Sequence, residues 1–347
     1  MIQGIGSRAG RFAPLRALCV LAQLAAGALA HAEVINCDGA GGAGSGAGQI
    51  STVPYTISAP GVYCVTQKIT SALTSGAAIT ITANNVVLDL NGFAIGNLGA
   101  VNPTSIGVYA VDRQNIVVRN GVLRGFWVGV ALLNGDFANS GGTTELSSGH
   151  SVEAITCDTC YLAGIAVQGP NASVRGNTVI GTKGSDQASA LIAGTGGGTP
   201  DNAIGIALLG SNNSEVSGNS VIDTDCINAC VAPSGAYGIF IQSSSGVIVA
   251  NNFLSNAVLP TAANSFAIEV GSLNGTGAPS LQVYATLNTM SNWNTGIDFS
   301  PGSVGPPAVA PSGGTFRSNQ ALGVTTPYPI GVVGLINDAA GGINFSF

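Results

Sequence analysis

Hydrophobic residues along this chain of 347 residues recur in short, β-branched bursts with a period of two. Such bursts predict many short, buried strands. One motif has two apolar residues separated by a single residue and followed by an outward-facing residue. It occurs eight times, as VVLDLN (86–91), IVVRNG (116–121), HSVEAI (150–155), ASVRGN (172–177), SEVSGN (214–219), VIVANN (247–252), LQVYAT (281–286) and GTFRSN (314–319).

A second motif, usually a glycine before an apolar–x–apolar strand, alternates strictly with the first. Its copies are GVYAV (107–111), GVALL (129–133), GIAVQ (164–168), GIALL (205–209), GIFIQ (238–242), AIEVG (267–271), GIDFS (296–300) and GVVGL (331–335). The shortest repeat, from Gly107 to Gly129, is 22 residues. This length suits one turn of a three-faced parallel coil in which each strand pairs with its copy in the next turn. No stretch shows sustained helical periodicity, which argues against a βα fold.

The segment YTISAPGVYCVTQKIT, with AAITITANNVVLDLNGFAIG after it, resembles the opening of exported β-helix-repeat proteins. Residues 76–347 resemble the right-handed parallel β-helix of the pectin-lyase-like superfamily. In that group the Asn-Gly pair is often followed by His, whereas this chain has Phe93. The resemblance implies an all-β solenoid. Residues 33–75 are expected to form an N-terminal cap on its first coil, because an open end would expose unpaired strand edges. The resemblance also implies polysaccharide chemistry, by analogy of fold.

The first 32 residues predict a cleaved signal peptide. Arg8, Arg11 and Arg16 precede an apolar core at 17–30, and Ala30-His31-Ala32 is a small-residue cleavage site. We therefore expect a secreted, periplasmic or extracellular protein. Beyond this segment no apolar run is long enough to span a bilayer, so no membrane span is expected after cleavage. The net charge of −6 and the lack of a basic stripe argue against a nucleic-acid partner.

Six cysteines follow the signal peptide, and an even count in an exported chain predicts disulfides. The expected pairs are local: Cys37–Cys64, Cys157–Cys160 and Cys226–Cys230. A zinc site built from the two close pairs is the alternative. The gap between those pairs is longer than zinc-ribbon spacing allows.

Stacked coils turn equivalent positions into columns. The outward residues of the first motif are Asp89, Arg119, Glu153, Arg175, Ser217, Ala250, Tyr284 and Arg317. The first four alternate in sign, which predicts a surface ion ladder. The alternative is an anionic-substrate groove that uses Arg119 and Arg175. Two residues further on stand Asn91, Gly121, Ile155, Asn177, Asn219, Asn252, Thr286 and Asn319, a corner column predicted to stack amide on amide.

The outward column of the second motif is mostly small and apolar, which suits a shallow groove or a covered surface. Glu269 and Asp298 break that pattern on adjacent coils. Carboxyl groups about one strand spacing apart share a proton, bind a cation such as calcium, or form the pair of a retaining glycosidase. Trp293 is the nearby candidate for a sugar-stacking platform. The alternative is two solvated, splayed carboxylates.

Long insertions between motifs are the other candidate sites. Asp223 and Asp225 lie beside Cys226 and predict a calcium or acid site on a stiffened loop. Glu145 and His150 form a candidate acid–base pair in another insertion.

Two functions fit these features. The first is an exported protein that binds or cleaves a polysaccharide or cell-surface glycan, by lyase or glycoside hydrolase chemistry. The second is a noncatalytic structural or adhesive cell-surface solenoid. Enclosure of acids together with an aromatic ring on one face would favour the first.

Overall fold

The structure, a computed structural model, describes residues 48–100, 103–135, 146–185, 202–226, 235–261, 264–271, 280, 282–299, 315–328, 336–337 and 345–346. The signal peptide, Cys37, Glu145 and Cys230 lie outside these residues, so the predictions about them stay predictions. All 28 elements within the described part of the chain are β-strands. That part contains no helix long and apolar enough to cross a membrane.

The strands wind into a right-handed parallel β-helix with three faces. Face 1 is a nine-stranded sheet of β2 (Tyr55–Ile57), β5 (Ala77–Ile81), β8 (Ile106–Val111), β10 (Val128–Leu133), β12 (Ala163–Gln168), β15 (Ala203–Leu209), β18 (Gly235–Gln242), β21 (Asn264–Gly271) and β24 (Thr295–Asp298). The strands of this face pair in parallel, as β18 does with β21 and β21 with β24.

Faces 2 and 3 together form a 19-stranded parallel sheet that bends at a corner. Face 2 holds β1 (Gly48–Ile50), β3 (Gly61–Val65), β6 (Val86–Asp89), the first halves of β9 (Ile116–Arg124) and β11 (Ser151–Asp158), β13 (Ser173–Arg175), β16 (Glu215–Ser217), β19 (Ile248–Ala250), β22 (Tyr284–Thr286), β25 (Thr315–Arg317) and β27 (Ile336–Asn337). Face 3 holds β4 (Ile69–Ser71), β7 (Ala94–Asn97), the second halves of β9 and β11, β14 (Thr178–Ile180), β17 (Ser220–Ile222), β20 (Phe253–Ser255), β23 (Thr289–Ser291), β26 (Gln320–Leu322) and β28 (Phe345–Ser346).

The interior of the coil is a continuous apolar core because alternate residues of each strand point inward. The residues predicted to face inward are all fully buried: Val86, Leu88, Val118, Val174, Val216 and Val249. The predicted solenoid is therefore confirmed. Residues 48–75 already form β1–β4 and pair in parallel with later coils, so regular winding begins earlier than residue 76.

A ladder of asparagines marks the corner between faces 2 and 3. The Oδ1 atom of Asn219 accepts hydrogen bonds from N and Nδ2 of Asn177 at 2.9 and 3.0 Å. The Nδ2 atom of Asn219 donates to the carbonyl of Val174, so each amide serves the backbone of the coil before it. Asn252, Asn288 and Asn319 repeat the pattern. The predicted amide stack is real.

On the coil of β22, the residue in the outward column and the residue in the asparagine column both differ from the prediction, because the strand register is shifted by two residues. Val283 and Ala285 both face the core, and Thr286 lies beside Ala250 in the outward column. Thr286 thus takes the place predicted for Tyr284, and Asn288 takes the ladder place predicted for Thr286.

Candidate functional site

Glu269 and Asp298 are register partners on β21 and β24, on the outer side of face 1. Ile268 and Val270 point into the core, so the alternation sends Glu269 outward, as predicted. Yet the two side chains are not solvated. Glu269 is 6% exposed and Asp298 is 9% exposed. The alternative of two splayed surface carboxylates is wrong, because this side of face 1 is itself buried.

Burial sets the protonation state of Glu269. Desolvation raises the pKa of its carboxyl group well above 4.5, and the charge of Asp298 raises it further. Its Oε2 atom has no hydrogen-bond partner among the described residues. A buried, unpartnered carboxylate oxygen is costly, so the neutral acid is the favoured form.

Three aromatic side chains on the same side of face 1 lie next to this pair. Phe240 precedes Glu269 by one strand in the same column. The ring of Tyr237 lies 5.3 Å from that of Phe240 and stacks on Phe266 at 5.7 Å. Burial, and then Glu269 once it has ionised at higher pH, raise the pKa of Tyr237 far above 10, so its hydroxyl stays protonated. The site thus combines two acids with an aromatic cluster.

Trp293 does not belong to this cluster, which corrects its predicted role as a platform. It is fully buried in the interior of the coil, and its Nε1 atom donates to the carbonyl of Leu254 at 3.1 Å. Tyr237 and Phe240 are the aromatic groups near the acids. Only Phe240 had a sequence signal, because it occupies the same column as Glu269.

The outer side of face 1 is a second apolar layer. Ala131, Ala166 and Ala207 are buried in one column, with Leu133 and Leu209 beside them. Of the two surfaces predicted for this column, a covered surface is the one observed.

Arg119 and Arg175 lie on face 2, away from the carboxyl pair. Arg119 Nε is 3.0 Å from Asp89 Oδ2, and Arg175 Nη2 is 2.7 Å from Glu153 Oε1. The Ser151 hydroxyl and then Arg175 are the main causes that lower the pKa of Glu153, so this pair is ionised. The contacts match the predicted ion ladder, whereas the anionic groove stays a proposal without further support.

Asp223 and Asp225 connect their loop to the next coil. Asp223 Oδ1 accepts from the amide of Ala257 at 2.7 Å, and Asp225 Oδ1 accepts from the amide of Thr261 at 3.0 Å. Within the described ranges, no group of three or more His, Cys, Asp or Glu side chains is arranged to hold a metal ion. The calcium site predicted from these two aspartates stays a prediction.

His150 is a buried member of a polar network. Its Nδ1 accepts from the amide of Ile116 at 3.3 Å, so Nε2 carries the proton and contacts Ser147 Oγ at 2.6 Å. Burial lowers the pKa of His150 to about 4. The predicted pairing with Glu145 cannot be placed, since Glu145 lies outside the described residues. The contacts of His150 serve the fold.

Cys157 and Cys160 are free, buried thiols, so the predicted disulfide between them is wrong. Both sulfur atoms pack against Gly129, and Cys157 Sγ donates to the carbonyl of Gly164 at 3.1 Å. Cys64 and Cys226 do not titrate because each is disulfide-bonded. The pairings with Cys37 and Cys230 stay predictions.

Comparison with known proteins finds solved structures of low sequence similarity to this chain. No family model and no curated protein matches the sequence. The Dettilon tailspike protein has a TM-score of 0.48 at 16% identity, over 87% of this chain and 60% of its own. A PL6 family polysaccharide lyase from Pseudopedobacter saltans has a TM-score of 0.43 at 13% identity, over 87% of this chain and 88% of the lyase. The A-module of the mannuronan C-5 epimerase AlgE6 from Azotobacter vinelandii has a TM-score of 0.36 at 13% identity, over 84% and 91% of the two chains. The chain spans less than two thirds of the tailspike.

Proposed function

We propose that this protein binds a polysaccharide on face 1 and hydrolyses it with the Glu269–Asp298 pair. The observation that supports this most is the register of two buried carboxyl groups on adjacent strands, one of which has an unpartnered oxygen. Adjacent parallel strands are about 4.8 Å apart, close to the roughly 5–5.5 Å between the carboxyl groups of retaining glycosidases.

The two acids have different roles in this proposal. Glu269, kept neutral by burial, donates its proton to the glycosidic oxygen as the bond to the leaving sugar breaks. The Asp298 carboxylate attacks the anomeric carbon and forms a glycosyl ester. Glu269, now ionised, takes a proton from the water that hydrolyses the ester, which restores both groups.

The aromatic cluster gives the site a surface suited to sugars. The faces of Tyr237, Phe240 and Phe266 offer the apolar contact that pyranose rings use, and the Tyr237 hydroxyl remains a donor. Both carboxyl groups are buried in the chain without substrate. The groups that cover the outer side of face 1 must therefore move aside before a polysaccharide can reach the two acids.

Assays on purified protein test the proposal. A panel of polysaccharides is screened for new reducing ends, which hydrolysis and elimination both produce, and for the ultraviolet absorbance of unsaturated sugars, which only a lyase produces. We expect reducing ends only, and their loss in Glu269→Gln and in Asp298→Asn. Glu215→Gln, which changes a carboxylate on face 2, is the matched control and keeps activity. Arg175→Gln tests the groove on face 2 and should also keep activity.

Calcium is the other ligand that this pair could take, with both groups ionised. A melting-temperature gain with calcium, lost in Glu269→Gln, would assign the pair to calcium. The noncatalytic solenoid is the second candidate function, favoured by the buried apolar column of Ala131, Ala166 and Ala207. It takes precedence if no glycan changes the melting temperature and both acid variants behave like the wild type.

A further inference from the structure

Face 2 carries a patch of exposed apolar side chains near its C-terminal end. Ile248, Tyr284 and Leu287 are 46%, 42% and 55% exposed. Ile248 and Tyr284 are register partners on β19 and β22, and Leu287 follows β22 at the corner. We call these three residues the face-2 patch. It lies on a different face from the carboxyl pair and is independent of the proposed function.

Leu287 holds a backbone conformation that leucine disfavours. Its φ is 58°, in the left-handed region. The same corner position on other coils is occupied by Gly176, Gly218, Asn251 and Ser318, all with positive φ. Glycine and asparagine tolerate this conformation, whereas leucine does so at a cost. The hydrogen bonds of the corner, among them that from the Leu287 amide to the carbonyl of Arg317 at 3.3 Å, hold this conformation, while the leucine side chain stays exposed and available to a partner.

Opposite charges flank the face-2 patch at equal distances from its centre. Glu215 lies beside Ile248 on the strand before the patch. Arg317 lies beside Thr286 on the strand after it. The centre of this arrangement is midway between β19 and β22. Reversing the strand order about that centre therefore exchanges the strand of Glu215 with the strand of Arg317.

We infer that the face-2 patch is the contact surface of a homodimer of antiparallel solenoids. A two-fold axis in the contact plane, perpendicular to the solenoid axis, places Ile248 against Tyr284 of the second copy. The same rotation places Leu287 against Asn251 of the second copy. It also sets β16 opposite β25 of the second copy, with Arg317 against Ser217. Glu215 lies two residues before Ser217 on that strand, roughly 7 Å away, which the long arginine side chain can reach. The contact is isologous, and each of its interactions occurs twice.

The second copy is the occupant that this charge pattern fits. One surface carries both the acidic and the basic end, in the order that a two-fold axis makes complementary. The outward residues between the apolar side chains are small, with Ala250 and Thr286 on the central strands, so two flat faces can approach closely.

The size of the contact sets the expected affinity. The overlap runs from β13 to β27, six strands of face 2, or roughly 24 Å at about 4.8 Å per strand. A contact of this length belongs to the class of small interfaces, those below about 1,200 Å², which are weak or transient. We therefore expect a dissociation constant in the micromolar range.

Sedimentation velocity on the full chain, over about a hundredfold range of concentration, tests the inference. We expect a monomer–dimer equilibrium. Leu287→Asn should weaken the dimer about tenfold while the folded monomer persists, because Asn251 holds the same corner conformation. Leu98→Asn, an exposed leucine outside the patch, is the matched control and leaves the dimer unchanged.

A charge exchange tests the symmetry itself. Glu215→Arg alone and Arg317→Glu alone should each weaken the dimer about tenfold, and the double variant should restore it to within about threefold. This pair decides the question even if Leu287→Asn fails to fold. A wild-type chain that stays monomeric throughout overturns the inference. So does a dimer that is unaffected by these variants, or one that the double charge exchange does not restore.

Discussion

Glu269 lies in register with Asp298 on the adjacent strand of face 1, and both carboxyl groups are buried. A solvated pair in the same register would titrate like ordinary surface acids. Burial instead makes the protonation of Glu269 part of the folding equilibrium.

The first prediction concerns stability above pH 4.5. Burial and Asp298 hold the pKa of folded Glu269 well above its unfolded value of 4.5. Between those two values the folded chain binds the extra proton, so the free energy of unfolding decreases as the pH rises. We expect the melting temperature to fall as the pH rises above about 6.5, where the opposing contribution of His150 is complete, and Glu269→Gln to flatten that slope. Thermal denaturation in a pH series checks this, and an equal slope in the variant would contradict it.

The stability of the fold at acidic pH depends on His150. Its pKa is about 4 in the fold and 6.5 when unfolded. The neutral ring therefore contributes stability that is complete above pH 6.5 and is lost as the pH falls toward 4, about 3 kcal/mol in all. His150→Asn, which keeps an acceptor for the Ile116 amide, should remove most of this acid sensitivity. Urea unfolding at several pH values measures this loss of stability. Glu269→Gln is the comparison, and it should keep the loss of stability at acidic pH.

The asparagine ladder gives a stability prediction. Asn252→Ala leaves the amide of Asn219 and the carbonyl of Val216 without their partners in a buried corner. We expect a loss of about 3 kcal/mol in the free energy of unfolding, since each unsatisfied buried group costs roughly 1–3 kcal/mol. Asn251→Gly, at the exposed neighbouring position with a φ of 56°, should change little. Chemical denaturation of both variants decides whether the ladder contributes this much.

The free thiols of Cys157 and Cys160 should resist modification. Both are buried, and the pKa of Cys157 is raised well above 9 by its contact with Cys160 and by burial. Because the thiolate is the reactive form, alkylating reagents should label these residues only after unfolding. Mass mapping of peptides without reduction checks this. Labelling of the native protein, or a linked 157–160 peptide, would contradict the structure.

The sequence predicts the winding of the chain well because alternation with a period of two fixes which side chains face the core. Val216 and Val249 illustrate this, as does the outward direction of Glu269. The pattern failed around residue 285, where Val283 and Ala285 are both apolar and the register could be read two residues out of place. It also failed for Trp293, whose nearness in sequence to Asp298 says nothing about which side of the sheet it occupies.

Burial of the carboxyl pair could not be predicted from the strands alone. Local alternation separates the inner from the outer side of a sheet, but it does not encode whether the outer side is covered. The buried column of Ala131, Ala166 and Ala207 was a hint, since small apolar residues suit a covered surface as well as a groove.

The asparagine ladder gives the solenoid a direction of growth. Asn177 serves the backbone of Val152 and Ile155, and Asn219 in turn serves Asn177, so each coil is completed by the one synthesised after it. A chain elongating from its N-terminus therefore always ends in an unfinished turn, and every added coil consolidates its predecessor. Loss of structure should begin at the C-terminal coil and move backward, one turn at a time.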